Sequence, residues 1–155
     1  MAGYTILDIL DKLIVIEEKG YKMYDTIYLR EDIDEKIKLV AKILAAQELK
    51  HIQLYKRIKK TTEEGELPSI DFDIYDQASQ LLSNFLHPVL LDVENIKELL
   101  RFSLDYEKQN LALIITIQGL LVRGLDGSNS VTYNVLGEII EEQQKHIQNI
   151  EGFIR

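Results

Sequence analysis

An apolar stripe that steps by four and three residues from Ile37 through Ala41 and Leu44 does not end at the next two positions but runs through Glu48 and His51 to Tyr55. That spacing belongs to one face of an α-helix, the face that turns to a core. A carboxylate and an imidazole on such a face constrain the fold more than any other feature of the chain. A buried carboxylate costs several kcal/mol unless positive charge or hydrogen-bond donors meet it, so partners must come from neighbouring elements.

Three further stretches repeat the situation. Along residues 10 to 24 the steps give Leu10, Leu13, Glu17, then Gly20 or Tyr21, and Tyr24, so Glu17 points inward. Glu18 shares its line with Asp11, Lys22 and Asp25 and points outward. Further on, Leu100, Ser103 or Leu104, Glu107, Leu111 and Ile114 fall on one face. The last stretch gives Leu136, Ile139, Gln143, His146 and Ile150, with Glu142 at the flank beside Glu138 and Lys145. The order is internally repeated: Glu17, then Glu48 with His51; Glu107, then Gln143 with His146. An acid and a histidine three residues apart stand on adjacent turns of one face, where both can reach one cation. Three inward carboxylates and two inward histidines thus predict a metal site, and the repeat predicts a two-fold arrangement of ligands.

Local signals place the helices. Thr5 with Asp8 reads as a capping box, Asp32 with Glu35 repeats that pattern, and Asp92 is the expected cap of the helix that begins "VENIKELL". These predict starts near 6, 33 and 93. Gly65 and Pro68 end the second helix, and "GLDGSNS" at 124–130 separates the third from a fourth helix that runs from about 130 to 153. Between the second and third, "PSIDFDIYDQASQLLSNFLHPVLLD" predicts a short helix around 73–86, broken by His87 and Pro88. Strand-like alternation and short-period repeats are not found. The expected architecture is all-α, one domain over residues 1–155, with two antiparallel helical hairpins joined by a crossover that spans a four-helix bundle.

Composition excludes several functions. Residues Asp and Glu number 26 against 18 Lys and Arg, a net charge of −8 without a clustered basic stripe, which argues against nucleic acid as a partner. With no cysteine, any metal rests on carboxylate, imidazole or amide groups rather than thiolate. The N-terminal "MAGYTILDILDKL" has acids within its apolar stretch and lacks the pattern of a signal peptide, so a cytoplasmic location is expected. The run "LALIITIQGLLV" at 111–122 is too short and too polar for a membrane span, which needs roughly 18 to 20 residues. It is expected to be covered by neighbouring helices or by a second copy of the chain, hence a homodimer. His87 is expected to be an ordinary surface residue, and Tyr21, Tyr28, Tyr55 and Tyr106 to serve in packing.

The segments "IEEKGYKMY" and "QELKHIQLY", followed by "DYEKQNLALI" and "EQQKHIQNI", resemble the rubrerythrin-like branch of the ferritin-like superfamily over nearly the whole chain. In that family a glutamate on the first and third helices and a Glu-x-x-His on the second and fourth hold a di-iron centre. The resemblance implies that Glu17, Glu48, His51, Glu107 and His146 are ligands, and that Tyr24 hydrogen-bonds a ligand carboxylate. It also implies peroxide reduction or ferrous oxidation, with peroxide or dioxygen as the small-molecule substrate.

The sequence departs from the family pattern in three places. Gln143 stands where the fourth-helix glutamate is expected, a neutral ligand that lowers the charge of the site by one and raises the alternative of a single metal, with Glu142 as a substitute ligand. The chain has no cysteine-bearing rubredoxin tail, so electrons must come from a separate donor. Leu104 and Asn110 occupy the places three residues from Glu107 where rubrerythrins carry another inward acid. Iron is the implied metal, with manganese or zinc as alternatives. Two other functions remain open: a metal-binding or storage module without turnover, and a degenerate bundle that acts as a structural or interaction protein.

Overall fold

The structure is a computed structural model that describes residues 3–85, 93–123 and 130–154. Those residues form five α-helices and no strand: α1 Ile6–Tyr28, α2 Glu35–Thr62, α3 Phe72–Ser83, α4 Ile96–Arg123 and α5 Ser130–Ile154. The all-α expectation holds. None of these helices is long and apolar enough to cross a membrane.

The first helix starts as its sequence predicts. Thr5 caps it in a reciprocal box, its hydroxyl bonded to the first turn and its own N–H bonded at 2.8 Å to Asp8. The second starts two residues later than expected because its cap is Asp34, whose carboxylate accepts from Lys36 N at 2.8 Å. Asp32 is drawn away by Arg30, which holds both carboxylate oxygens at 3.0 and 2.8 Å. Asp71 caps α3, which runs one residue earlier at its start and three earlier at its end than predicted. For α4 the start also moves, from near 93 to Ile96, where Asn95 Oδ1 accepts from Glu98 N at 2.8 Å. Asp92, His87 and Pro88 lie outside the described residues, as does most of the "GLDGSNS" stretch.

Side-chain pairings across the helices fix their directions. Lys59 on α2 meets Asp11 on α1, while Lys42 lies over the ring of Tyr28, so α1 and α2 run antiparallel. Lys108 meets Glu151 and Gln118 bonds to Tyr133 O, so α4 and α5 do too. Tyr24 bonds Ser103 and Asn110 bonds Glu17, which sets α4 antiparallel to α1. Parallel α2 and α4 follow, and two parallel helices cannot be joined by a tight turn. The chain from 63 to 95 makes that connection and carries α3, which packs on α1 and α4.

The apolar core is in two parts. A larger cluster gathers Ile9, Leu10, Leu13, Tyr55, Ile114, Ile117, Leu136 and Ile139 with residues of α3. A smaller one holds Tyr24, Ile27, Ile37, Ala41, Leu44 and Leu99. Between them lies a polar layer. On α4 the apolar run divides by face: Ile114, Ile117 and Leu121 are buried, whereas Ile115 and Val122 face outward.

Candidate metal centre

The polar layer contains every inward residue that the stripes single out. Glu17, Glu48, Glu107 and Gln143 are 0% exposed, His51 7% and His146 5%. Glu18 is exposed and Glu142 half-buried, as their lines on the helices predict. Of the buried polar side chains among the described residues, only Thr132 lies apart from the layer; Ser103 and Asn110 complete it.

Within the layer the ligand atoms fall into two trios. Glu17, Glu48 and His51 form one, and Glu48, Glu107 and His146 the other, with the atoms of each trio within 4.8 Å of one another. Glu48 belongs to both. His51 Nδ1 stands 3.8 Å from Glu17 Oε2, and His146 Nε2 stands 3.6 Å from Glu107 Oε1. The two imidazole rings meet edge to face at 4.7 Å between centroids.

The outer contacts of these ligands are unequal. Glu17 Oε1 accepts from Tyr55 Oη at 3.2 Å and from Asn110 Nδ2 at 3.3 Å. Glu107 Oε2 accepts a close hydrogen bond from Gln143 Nε2, which also lies 3.4 Å from the Glu107 carbonyl. That orientation is the one chemistry demands, since turning the amide would set its oxygen against the carboxylate. Gln143 therefore reaches the layer, as the sequence predicts, and its nitrogen is engaged with Glu107. Glu142 does not substitute for it: it pairs with Lys145 at 3.5 Å on the flank and belongs to neither trio.

Tyr24 reaches the layer but binds elsewhere than expected. Its hydroxyl donates to Ser103 Oγ at 2.8 Å, and the tyrosine that bonds a ligand carboxylate is Tyr55. The physical reason is position: Tyr55 lies one turn beyond His51 on α2, where its hydroxyl reaches Glu17, whereas the Tyr24 hydroxyl meets Ser103 on α4. Gly20 is another residue that sequence reasoning did not assign. A methyl group on it would stand 3.1 Å from Glu48 Oε2 and 3.5 Å from the Tyr106 hydroxyl, so the bare backbone gives Glu48 its room. Its only signal was its place three residues after Glu17.

Charge in the layer is far from balanced. Burial, together with repulsion from Glu107 and Glu17, pushes the Glu48 carboxyl well above the usual range. Burial also drives Glu107 up, to about 7, against the neighbouring Glu48 carboxyl and the bond from Gln143. Burial acts on Glu17 in the same direction, but the neighbouring Glu48 carboxyl, the nearby His51 imidazole and its charge, and the Tyr55 bond bring it below the ordinary value. For His51 the pull of Glu17 overcomes burial and raises the imidazole. His146 goes the other way, down to about 4, through burial and repulsion from His51. In the metal-free protein burial therefore favours the protonated form of Glu48 and, below about pH 7, of Glu107.

The orphaned atoms give the same answer. Glu17 Oε2, both oxygens of Glu48, His51 Nδ1, Glu107 Oε1 and His146 Nε2 are buried without a hydrogen-bond partner among the described residues. Buried polar atoms are otherwise paired almost without exception. The unpaired carboxylate and imidazole atoms all belong to the two trios, and amide or hydroxyl oxygens of Gln47, Asn110, Gln143 and Thr132 are unpaired as well. The buried Glu/His cluster is therefore one that can hold a metal ion, with hard oxygen and imidazole donors suited to first-row divalent metals.

No protein-family model matches this sequence, and no curated protein or solved structure matches it either.

Proposed function

We propose that the chain is a ferritin-like four-helix bundle of the rubrerythrin-like kind, and that its polar layer is a non-haem di-iron centre for peroxide reduction or ferrous oxidation. The observation that carries this reading is Glu48, shared by two trios that each end in a histidine. A single ion would leave one trio's orphaned atoms unmet; two ions around a common carboxylate meet both. In this reading Glu17 and His51 would hold one iron and Glu107 and His146 the other, with Glu48 available to both. Bound iron supplies one-electron chemistry there, so that a pair of Fe(II) ions delivers two electrons to peroxide or dioxygen.

The chain's own residues support that chemistry. Tyr55 and Asn110 fix the Glu17 carboxylate, and Gln143 fixes that of Glu107, so neither needs to reorient when charge arrives. The surrounding apolar clusters keep bulk water from the acids. In this reading electrons for turnover come from a separate donor. A homodimer belongs to the proposal as well, supported by Leu81, Ile115 and Val122, which lie exposed on α3 and α4.

A second reading is favoured by the Gln143 contact. With an amide in place of a carboxylate, only three carboxylates face two ions, and the layer then suits a metal-binding module without turnover. The deciding measurement is iron per chain by elemental analysis after anaerobic Fe(II) loading and desalting, in wild type and in Gln143→Glu. Two irons in the wild type, with peroxide-dependent oxidation abolished by Glu48→Ala, is the expected result. Stoichiometric binding without reoxidation selects the storage reading. No iron in the wild type but two in Gln143→Glu defeats both and identifies a bundle whose site was lost by one amide.

A further inference from the structure

The trios meet solvent through their histidines. The three acids are 0% exposed, while His51 and His146 retain 7% and 5%. Both histidines line a cavity of about 570 Å³ between α2 and α5. Their inner nitrogens, His51 Nδ1 and His146 Nε2, are the ones beside Glu17 and Glu107. The remaining ring nitrogens, His51 Nε2 and His146 Nδ1, have no hydrogen-bond partner among the described residues. A histidine that ligates a metal almost always gives its other N–H to a carboxylate, a carbonyl or water. No group of the described residues does that here.

The rim of the cavity indicates what can. Lys50 and Arg57 stand seven residues apart on one face of α2, and Lys145 faces them from α5, against one acid, Glu142. Glu142 is engaged with Lys145 at 3.5 Å. Lys50 and Arg57 have no acidic partner among the described residues. This is a positive mouth on a chain of net charge −8, and it disfavours entry of a metal cation by this route. Its volume lies in the range of about 300 to 1,000 Å³ that small organic ligands occupy.

We propose that this cavity binds a small organic anion, carboxylate- or phosphate-bearing, held by Lys50 and Arg57 with its acceptor oxygens toward the outer N–H groups of His51 and His146. The anion then takes the place that a protein carboxylate fills behind other metal-bound histidines. Linkage makes the effect mutual: whatever the anion does to metal affinity, metal does to anion affinity. The inference rests on the cavity and its cations, so it stands or falls independently of which metal binds.

The test uses the full chain freed of metal with a chelator, titrated separately with succinate and with inorganic phosphate while the imidazole resonances of His51 and His146 are followed by NMR. Saturable shifts of both imidazoles are expected with at least one probe, and the tighter of the two identifies the head group. Lys50→Ala/Arg57→Ala, both at exposed positions, is expected to weaken that binding by about tenfold or more. No saturable shift with either anion up to about 50 mM, or an unchanged affinity in the double variant, would overturn the proposal.

Discussion

The two trios share Glu48 and are otherwise built from equivalent positions of two hairpins, yet they are not equivalent electrostatically. On the α1/α2 side Glu17 is steadied by Tyr55 and Asn110, stays below the ordinary carboxylate range and raises the His51 imidazole beside it. On the α4/α5 side Glu107 rises to about 7 and His146 falls to about 4, so both tend to the neutral form. One hairpin favours an ion pair and the other a neutral acid and base. The difference teaches that a buried ligand's charge is set by its donors as much as by its type: burial is complete for Glu17 and Glu107 alike, and their surroundings separate them.

That contrast can be broken outright at the residue both sides share. Glu48→Ala is expected to abolish binding at both trios, reducing metal per chain to background in elemental analysis. In chelator-treated protein Glu48→Leu raises the unfolding midpoint, because removing an uncompensated buried acid stabilises by about 1–4 kcal/mol. A drop in metal-free stability would show that Glu48 is satisfied by contacts other than metal.

Next in size is Gln143→Glu, which makes the two hairpins chemically alike. It adds a charged ligand to the α4/α5 side and removes the amide that steadies Glu107. Calorimetric titration with Fe(II) or Mn(II) is expected to show the weaker binding step strengthened by about 10- to 100-fold. The metal-free protein loses about 1–3 kcal/mol, since a buried carboxylate then faces another without a donor. Equal affinities before and after the change would mean that Gln143 Oε1 already serves as a full ligand.

Tyr55→Phe sharpens the comparison from the other side. The Glu17 carboxylate loses one of its two side-chain donors, and the tighter binding step is expected to weaken by about tenfold while the weaker step changes little. Tyr24→Phe, which removes a bond to Ser103 instead, leaves both steps nearly unchanged.

The smallest effect is a difference in proton release. Glu107, raised from 4.5 to about 7, stabilises the metal-free fold fully below its unfolded value, and that contribution is lost as pH rises through about 7. His146, lowered from 6.5 to about 4, contributes above 6.5 and loses its part as pH falls through about 4. Metal must displace the Glu107 proton at pH 6 but finds it largely gone at pH 8. Calorimetry in buffers of different ionisation heat is expected to register about one proton fewer released per chain at pH 8 than at pH 6.

The site was more legible in the sequence than its electrostatics. Glu17, Glu48, His51, Glu107, Gln143 and His146 each interrupt an apolar stripe, and helical periodicity alone turned them inward. Helix ends were harder, because Asp32 and Asp34 are both competent caps and only the bond from Arg30 to Asp32 decides between them. Tyr55 looked like core because it sits on the same stripe as Leu44; a stripe reports direction, not what a hydroxyl meets across the gap. Gly20 left almost no trace, since what it supplies is absence of a side chain where Glu48 approaches. The cavity beside the histidines lies between α2 and α5, and no local pattern reports on the space between two helices distant in sequence.

The division of the apolar core into two clusters bears on how the molecule breathes. The smaller cluster, around Ile27, Ile37 and Leu99, closes the end of α1 and the start of α2, and Tyr21 is packed against both clusters. With the polar layer uncompensated, that end is the cheaper one to open, and its amides exchange with deuterium before those of the larger cluster. A cation held in the layer would tie the hairpins together at the seam. The protein would then open as a single cooperative unit, and the difference in exchange between its two ends would disappear.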